Sequence, residues 1–369
     1  MRCQLIRLHW IRIAMHEPFR ISNGEVSERD AILVEIEADG RTGWGEASPM
    51  PGDFYSKETP ESTWKFLRRQ LVPSFLENPS FDPKLLAKWL EAIAGESFAK
   101  AGLEGAVWDL VANVEAKPLW QMLGGRKRPI ESGAAIGLMP TAAELLERVQ
   151  KFLGEGYRRI KIKIEPGRDV ELVRAIRQRF GNIPLMVDAN ASYTLEHARV
   201  FEELDRFGLM MIEQPLAREA IAEHAELQER LRTPICLDES AESITTTEEI
   251  IRRGSGRILN IKVQRMGGLW PARRAHDIAQ SAGLPCWMGS MPELGVASAQ
   301  GLHLATLDNF TFPSDIEASA RWYVDDIISP QIELSGQGCI RLPEGPGMGY
   351  TVDREKVARY RLRLEEFRG

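Results

Sequence analysis

Three acidic residues stand 25 positions apart in matching contexts: Asp188 ends the strand-like run of PLMVDAN, Glu213 that of LMMIEQP and Asp238 that of TPICLDE. Each run is short and apolar, and each is followed by an amphipathic stretch at helical spacing. That interval is one βα unit, and in a barrel the C-terminal ends of neighbouring strands converge on one mouth. Carboxylates gathered there repel one another unless a cation sits between them. Hard oxygen donors of this kind suit Mg2+, with Mn2+ as a substitute, and leave coordination positions for water or substrate. Any one of these acids alone reads as a solvated strand end or a helix N-cap; three in phase do not.

Lysines extend the same phase on either side. Lys161 and Lys163 lie in KIKIE, one unit before Asp188, and Lys262 lies in LNIKVQRMGG, one unit after Asp238. Strand alternation turns Lys161 and Lys163 to one face, with Ile160, Ile162 and Ile164 on the other. Buried lysine is rare unless paired or functional. Lys163 and Lys262 would thus approach a metal-bound substrate from opposite sides, and a lysine whose pKa is lowered by nearby cations can serve as a general base. The alternative is that these lysines only neutralise the acids.

The elements that must position these residues follow from periodicity. Residues 1–60 read as strands in IRLHWIRI, AILVEIEA and GWGEA, with Asp39-Gly40 as a turn. Residues 60–125 change to helical spacing, including AKAGLEGAVWDLVANVEA, and Gly124-Gly125 ends that region. From about residue 130, strand and helix signals alternate through LPCWMGS, which predicts an α/β fold with a parallel sheet closed into a modified (β/α) TIM barrel. The expected division is an α+β N-terminal capping domain over 1–125, a barrel over 126–320, and an irregular glycine- and proline-rich segment over 321–369 that returns to the cap.

Composition excludes several classes. A formal net charge of −6 leaves no basic footprint for nucleic acid. No apolar run approaches the roughly 20 residues of a membrane span, and MRCQLIRLHWIRIAM alternates as a strand rather than as a signal peptide. Cys3, Cys236, Cys286 and Cys339 show no CxxC spacing, which points to reduced thiols in the cytoplasm. No GxSxG, GxGxxG or P-loop is present, and the histidines share no metal spacing; His276 reads as structural.

The series KIK, DAN, EQP, DES and IKVQRMGG closely resembles the muconate-lactonising branch of the enolase superfamily. GDFYSKET and DIEASARWYVDDI resemble in particular the group of o-succinylbenzoate synthases and N-succinylamino acid racemases. The resemblance implies that Asp188, Glu213 and Asp238 bind Mg2+, that Lys163 is the base, that Lys161 assists it, and that Lys262 is a second acid/base or a fixed cation. It makes Asn190, Gln214 and Glu239 supporting residues. Arg265, three residues after Lys262 on a strand end turning into a loop, is a further supporting residue by its position, placed to lower the pKa of Lys262 by like-charge repulsion or to pair with an acid such as Glu239 or Glu293. Cap loops near Phe19–Gly24 and Gly52–Ser56 should reach a small carboxylate substrate, with Phe19, Ser22, Tyr55, Ser290, Met291, Glu293 and Asp315 as contacts. WMGSMPELG departs from the group's usual seventh-strand run. Asp315 and Glu317 could instead mimic the acidic pair with which dipeptide epimerases hold an ammonium group. Dipeptide epimerase and muconate cycloisomerase therefore stay open as alternatives, as does a non-catalytic barrel that only binds. A homo-oligomer is compatible with this reading.

Overall fold

The computed structural model describes residues 1–22, 24–52 and 55–369. Alternating apolar residues make long antiparallel strands at the start: β1 (Cys3–Ile21), β2 (Gly24–Ala38) and β3 (Arg41–Ala47). Their inward residues, Ile6, Leu8, Val34 and Ile36 among them, are fully buried. Helix Ser97–Val114 lies directly on β3. That approach explains the glycines of GWGEA: a Cβ on Gly45 would come within 2.0 Å of the Gly102 carbonyl oxygen, and one on Gly43 within 2.3 Å of that of Ala106.

After the short strand β4 (Ile130–Glu131), seven strands follow in chain order and pair in parallel: β5 (Ala134–Ile136), β6 (Ile160–Lys163), β7 (Leu185–Asp188), β8 (Ile212–Glu213), β9 (Ile235–Leu237), β10 (Ile258–Ile261) and β11 (Cys286–Met288). Helices separate them, as the alternating pattern predicts, and the whole is a modified TIM barrel under an antiparallel cap. The eighth position is irregular. Residues 309–315 contain Pro313, which has no N–H to give a ladder. The segment still closes the sheet: Asp315 N–H donates to the Met288 carbonyl at 2.9 Å, and Ser314 N–H to that of Glu131 at 2.8 Å. Below the mouth, Met186, Met211, Cys236, Ile258 and Trp287 fill the barrel as a separate apolar layer.

The C-terminal segment is more regular than its composition suggests. Helix Arg354–Tyr360 leads into strand Arg361–Arg368, which pairs antiparallel with β1. RLRLEEFR forms an exposed sheet edge, so its alternation carries little apolar contrast. Among the described residues, no helix is long and apolar enough to cross a membrane.

Carboxylates in the cap and on helix Ser97–Val114 hold barrel helices by their N-termini. Glu46 of β3 accepts from the amides of Leu294 (2.8 Å) and Ala297 (2.9 Å), at the start of helix Gly295–Leu304. Glu104 accepts from Leu269 (2.7 Å) and Trp270 (2.9 Å), at the start of helix Leu269–Ser281. Neither barrel helix has a side-chain cap of its own, so each gains its first-turn acceptor through tertiary packing. Burial raises both carboxyls to about 7.

Buried histidines act as neutral hooks. His303 Nδ1 accepts from the Trp120 amide at 3.0 Å while Nε2 faces the Met348 carbonyl at 2.9 Å. Burial lowers the pKa of His303 to about 4. Above pH 6.5 neither folded nor unfolded chain protonates this group; as pH falls, the unfolded chain binds the proton first. The stabilisation is therefore complete above pH 6.5 and lost as pH falls toward 4, by ~3 kcal/mol in all. His303→Gln should flatten the stability–pH curve by ~2 kcal/mol or more between pH 7 and 4.5, measured by urea denaturation. Parallel curves for the two proteins would contradict this role.

Candidate active site

The parallel register sets the charged residues side by side. Lys163 pairs with Asp188 across β6 and β7, and Asp188 with Glu213 across β7 and β8. Asp238 and Lys262 immediately follow β9 and β10. All six charged groups, Lys161, Lys163, Asp188, Glu213, Asp238 and Lys262, are buried at the barrel mouth. Lys163 Nζ donates to Asp188 Oδ2 at 2.5 Å, and Lys262 Nζ to Asp238 Oδ2 at 2.9 Å. Lys161 Nζ lies 3.3 Å from Glu213 Oε2 and 3.7 Å from Asp188 Oδ2, and donates closely to Asp315 Oδ2.

The electrostatics follow from this crowding. Burial, reinforced by the charge of Asp188, pushes Glu213 up to about 8. Burial presses Asp188 and Asp238 the same way, but their cationic neighbours win and both are lowered: Lys163 and Lys161 act on Asp188, Arg265 and Lys262 on Asp238. Burial and Arg265 favour neutral Lys262, yet Asp238 and Tyr55 raise it well above the usual lysine value. The expected lowering of Lys262 by Arg265 is thus present but outweighed. Arg265 does not settle on Glu239 or Glu293: its Nη1 lies 3.1 Å from Asp238 Oδ1, and it donates to the Tyr55 hydroxyl, which also accepts from Lys262 at 2.9 Å.

Polar side chains behind the acids fix them. Gln214 Oε1 accepts from the amides of Asp238 (3.0 Å) and Ser240 (3.2 Å). Asn190 donates from Nδ2 to Glu239 Oε1 at 3.0 Å, and its amide donates to Asp188 Oδ1 at 3.0 Å. Asn190 and Gln214 adopt φ of 43° and 36°, left-handed values that turn the chain sharply after Asp188 and Glu213. Asn260 Nδ2 donates to Glu213 Oε1 at 2.7 Å.

As the side chains stand, no group of three His, Cys, Asp or Glu among the described residues is arranged to hold a metal ion, because each acid is drawn onto a lysine. The donor set still fits a hard divalent cation. It offers three buried carboxylates on adjacent strand ends, and Asp238 Oδ1 faces the Arg265 guanidinium at 3.1 Å without accepting a hydrogen bond.

A partly enclosed cavity opens above these groups. Lys161, Lys163 and Lys262 with the neutral Asn190 form its polar floor, and Phe19, Ile21, Met50, Tyr55, Met291 and Trp322 its largely apolar wall. Ser290 and Asp315 also line it. Ser22 and Glu293, expected as contacts, are not on its wall. Ser22 stands in the turn just beyond the end of β1, past the inward-facing Phe19 and Ile21. Glu293 is buried beside Ser290 and Arg29 instead. Of the two cap loops, Asn23, Asp53 and Phe54 lie outside the described residues.

Some site residues escaped sequence reasoning. Arg29 is fully buried and donates to the carbonyls of Pro292 (2.8 Å) and Pro49 (2.5 Å) and to that of Ser48, so one side chain joins a cap loop to a barrel loop. Its strand pattern carries no signal of this. Arg159 and Asn260 do: each precedes a site lysine by two residues and so shares its face.

Residues 6–124 match the mandelate racemase / muconate lactonizing enzyme N-terminal domain, and residues 144–357 match the enolase C-terminal domain-like family. The chain belongs to the enolase superfamily. It is an enzyme of the mandelate racemase / muconate lactonizing enzyme family. It is 46% identical over 97% of its length to an o-succinylbenzoate synthase of Geobacillus stearothermophilus, 95% of which is covered. It is 41% identical to an N-succinylamino acid racemase of Amycolatopsis sp, covering 95% of each chain. The crystal structure of an enolase superfamily member from Listeria innocua superposes with a TM-score of 0.95 at 35% identity, covering 100% of this chain and 99% of that one.

Proposed function

We propose that this enzyme takes the proton next to a substrate carboxylate, forming o-succinylbenzoate by dehydration and also racemising N-succinylamino acids. The observation that carries this reading is the placement of Lys163 and Lys262 in one cavity, on strands flanking the three that bear Asp188, Glu213 and Asp238. The similarity to a synthase and to a racemase across nearly the whole chain supports both activities. The free cysteines suit a reducing cytoplasm. The division into a cap over 1–125, a barrel over 126–320 and a returning segment over 321–369 belongs to the same reading.

Asp188, Glu213 and Asp238 would hold Mg2+, which Mn2+ can replace. A cation there offsets the negative charge that grows on the substrate carboxylate as the carbon acid ionises. Lys163 Nζ, released from Asp188, takes the α-proton on one face. Lys161 stays charged: burial opposes this, but Asp315, Glu213 and Asp188 raise it far above the usual range. In dehydration the α C–H electron pair becomes the new double bond, and the β-hydroxyl leaves with the C–O pair and takes from the Lys163 ammonium the proton just abstracted, leaving as water. Lys262 stays protonated beside the developing anion. In racemisation Lys262 instead returns a proton to the opposite face.

Dipeptide epimerisation fits less well. Asp315 is paired with Lys161 and with Arg159 at 2.7 Å, and Glu317 Oε2 lies 3.3 Å from Arg321 Nε. Neither acid has uncompensated charge for a substrate ammonium group.

Removing divalent metal with EDTA should abolish both activities, and Mg2+ or Mn2+ should restore them; Glu213→Gln should weaken metal affinity by ~100-fold or more on calorimetric titration. Full turnover by the chelated enzyme would overturn the metal assignment. Arg265 favours neutral Lys262, the form that accepts the α-proton when the opposite enantiomer is the substrate, whereas dehydration does not use it. Arg265→Gln should therefore lower kcat/KM for N-succinylamino acid racemisation at least ~10-fold more than for o-succinylbenzoate formation. Equal losses would make Arg265 merely structural.

A further inference from the structure

Arg159 is buried one turn of the strand pattern below Lys161, outside the cavity wall. Its guanidinium lies 5.0 Å from the Trp287 ring centroid, beside Lys161 at 4.9 Å from the same ring. Nη2 donates to Asp315 Oδ1 at 2.7 Å and to the carbonyls of Pro313 (3.2 Å) and Ser314 (3.3 Å). The space it occupies exists because residue 133 is glycine: a Cβ there would fall 2.4 Å from Arg159 Cζ. Its hydrogen bonds all go to the irregular segment that closes the barrel, where Pro313 has no N–H to give a ladder. Asp315 divides its two oxygens between Arg159 and Lys161. Its charge is thus spent on holding one cation with another.

We propose that Arg159 is a positioning residue of the active site: by clamping the closing segment and one oxygen of Asp315, it fixes the Lys161 ammonium between Asp315 and Glu213. Asp315 is then part of the scaffold of Lys161 rather than a substrate contact. Without the clamp, Asp315 turns toward the cavity and Lys161 follows it or collapses onto Glu213 and Asp188. Either movement alters the charge beside Lys163, the proton acceptor. This inference rests on the assignment of Lys163 and Lys161 above, and it deepens that assignment by naming what holds Lys161 in place.

The test compares Arg159→Met, Asp315→Asn and the double variant. Arg159→Met should lower kcat for o-succinylbenzoate formation about 100-fold while KM changes less than about threefold, because substrate still meets the same wall. Asp315→Asn leaves Arg159 buried without its charged partner and should lower the melting temperature more. The double variant removes both charges, so its melting temperature should recover toward that of the wild type while kcat stays about 100-fold down. Recovery of both would show a purely structural role and overturn the proposal. A crystal structure of Arg159→Met gives a readout that does not depend on substrate: Lys161 Nζ should move by more than about 1 Å. An unmoved Lys161 overturns the proposal even if the wild type proves inactive on both substrates, an outcome that would separately refute the proposed function.

Discussion

The mouth of the barrel holds three carboxylates and three lysines in near-complete burial, and the rest of the molecule is arranged around that cost. Charges taken out of water are tolerated only when paired and held in tight geometry. Each acid leans on a lysine, and the acid with the least compensation, Glu213, is the one pushed up to about 8 by burial and by Asp188. The remaining valences are met from behind, by Asn260 on Glu213 and by the Gln214 side chain on the Asp238 amide. A divalent cation among the acids would release the lysines from their present partners. The same charges would then be free for proton transfer, which is how a set costly to bury becomes useful to keep.

The cap contributes to this balance through more than its loops. Glu46 of β3 serves as the first-turn acceptor of a barrel helix, and Glu104 on helix Ser97–Val114 does the same for another, so the two parts are joined by the same groups that complete the helix ends. Glycines in β3 let that helix approach within backbone contact. Arg29 adds a direct tie between the cap loop that carries Met50 and the barrel loop that carries Met291. The apolar wall of the cavity is thus assembled from both parts and held by buried polar bonds.

Much of this was legible in the residue order. The 25-residue interval of Asp188, Glu213 and Asp238 encodes the βα repeat, and strand alternation places Lys161 and Lys163 on one face, where β6 holds them. Arg159 and Asn260 carry the same period-two signal, yet each looks like an ordinary strand-edge polar residue until its partner is known. Pairings between distant segments were not legible: Arg265 chose Asp238 and Tyr55 over two nearer-looking glutamates, because only the fold sets which acid lies within reach. The strand Arg361–Arg368 went unread because an exposed edge has no buried face to impose apolar alternation. Glu293 was expected at the cavity from the resemblance, and it is buried beside Ser290 and Arg29 instead, a placement that only the packing of the cap on the barrel sets.

The central claim is that two lysines face one carbon from opposite sides. Its most direct test is α-proton exchange in D2O, followed by NMR, for Lys163→Ala and Lys262→Ala with each enantiomer of an N-succinylamino acid. Each variant retains a single base and should exchange the proton of one enantiomer only, with the preference reversed between the two variants. Equal residual exchange of both enantiomers by either variant would contradict the opposed arrangement.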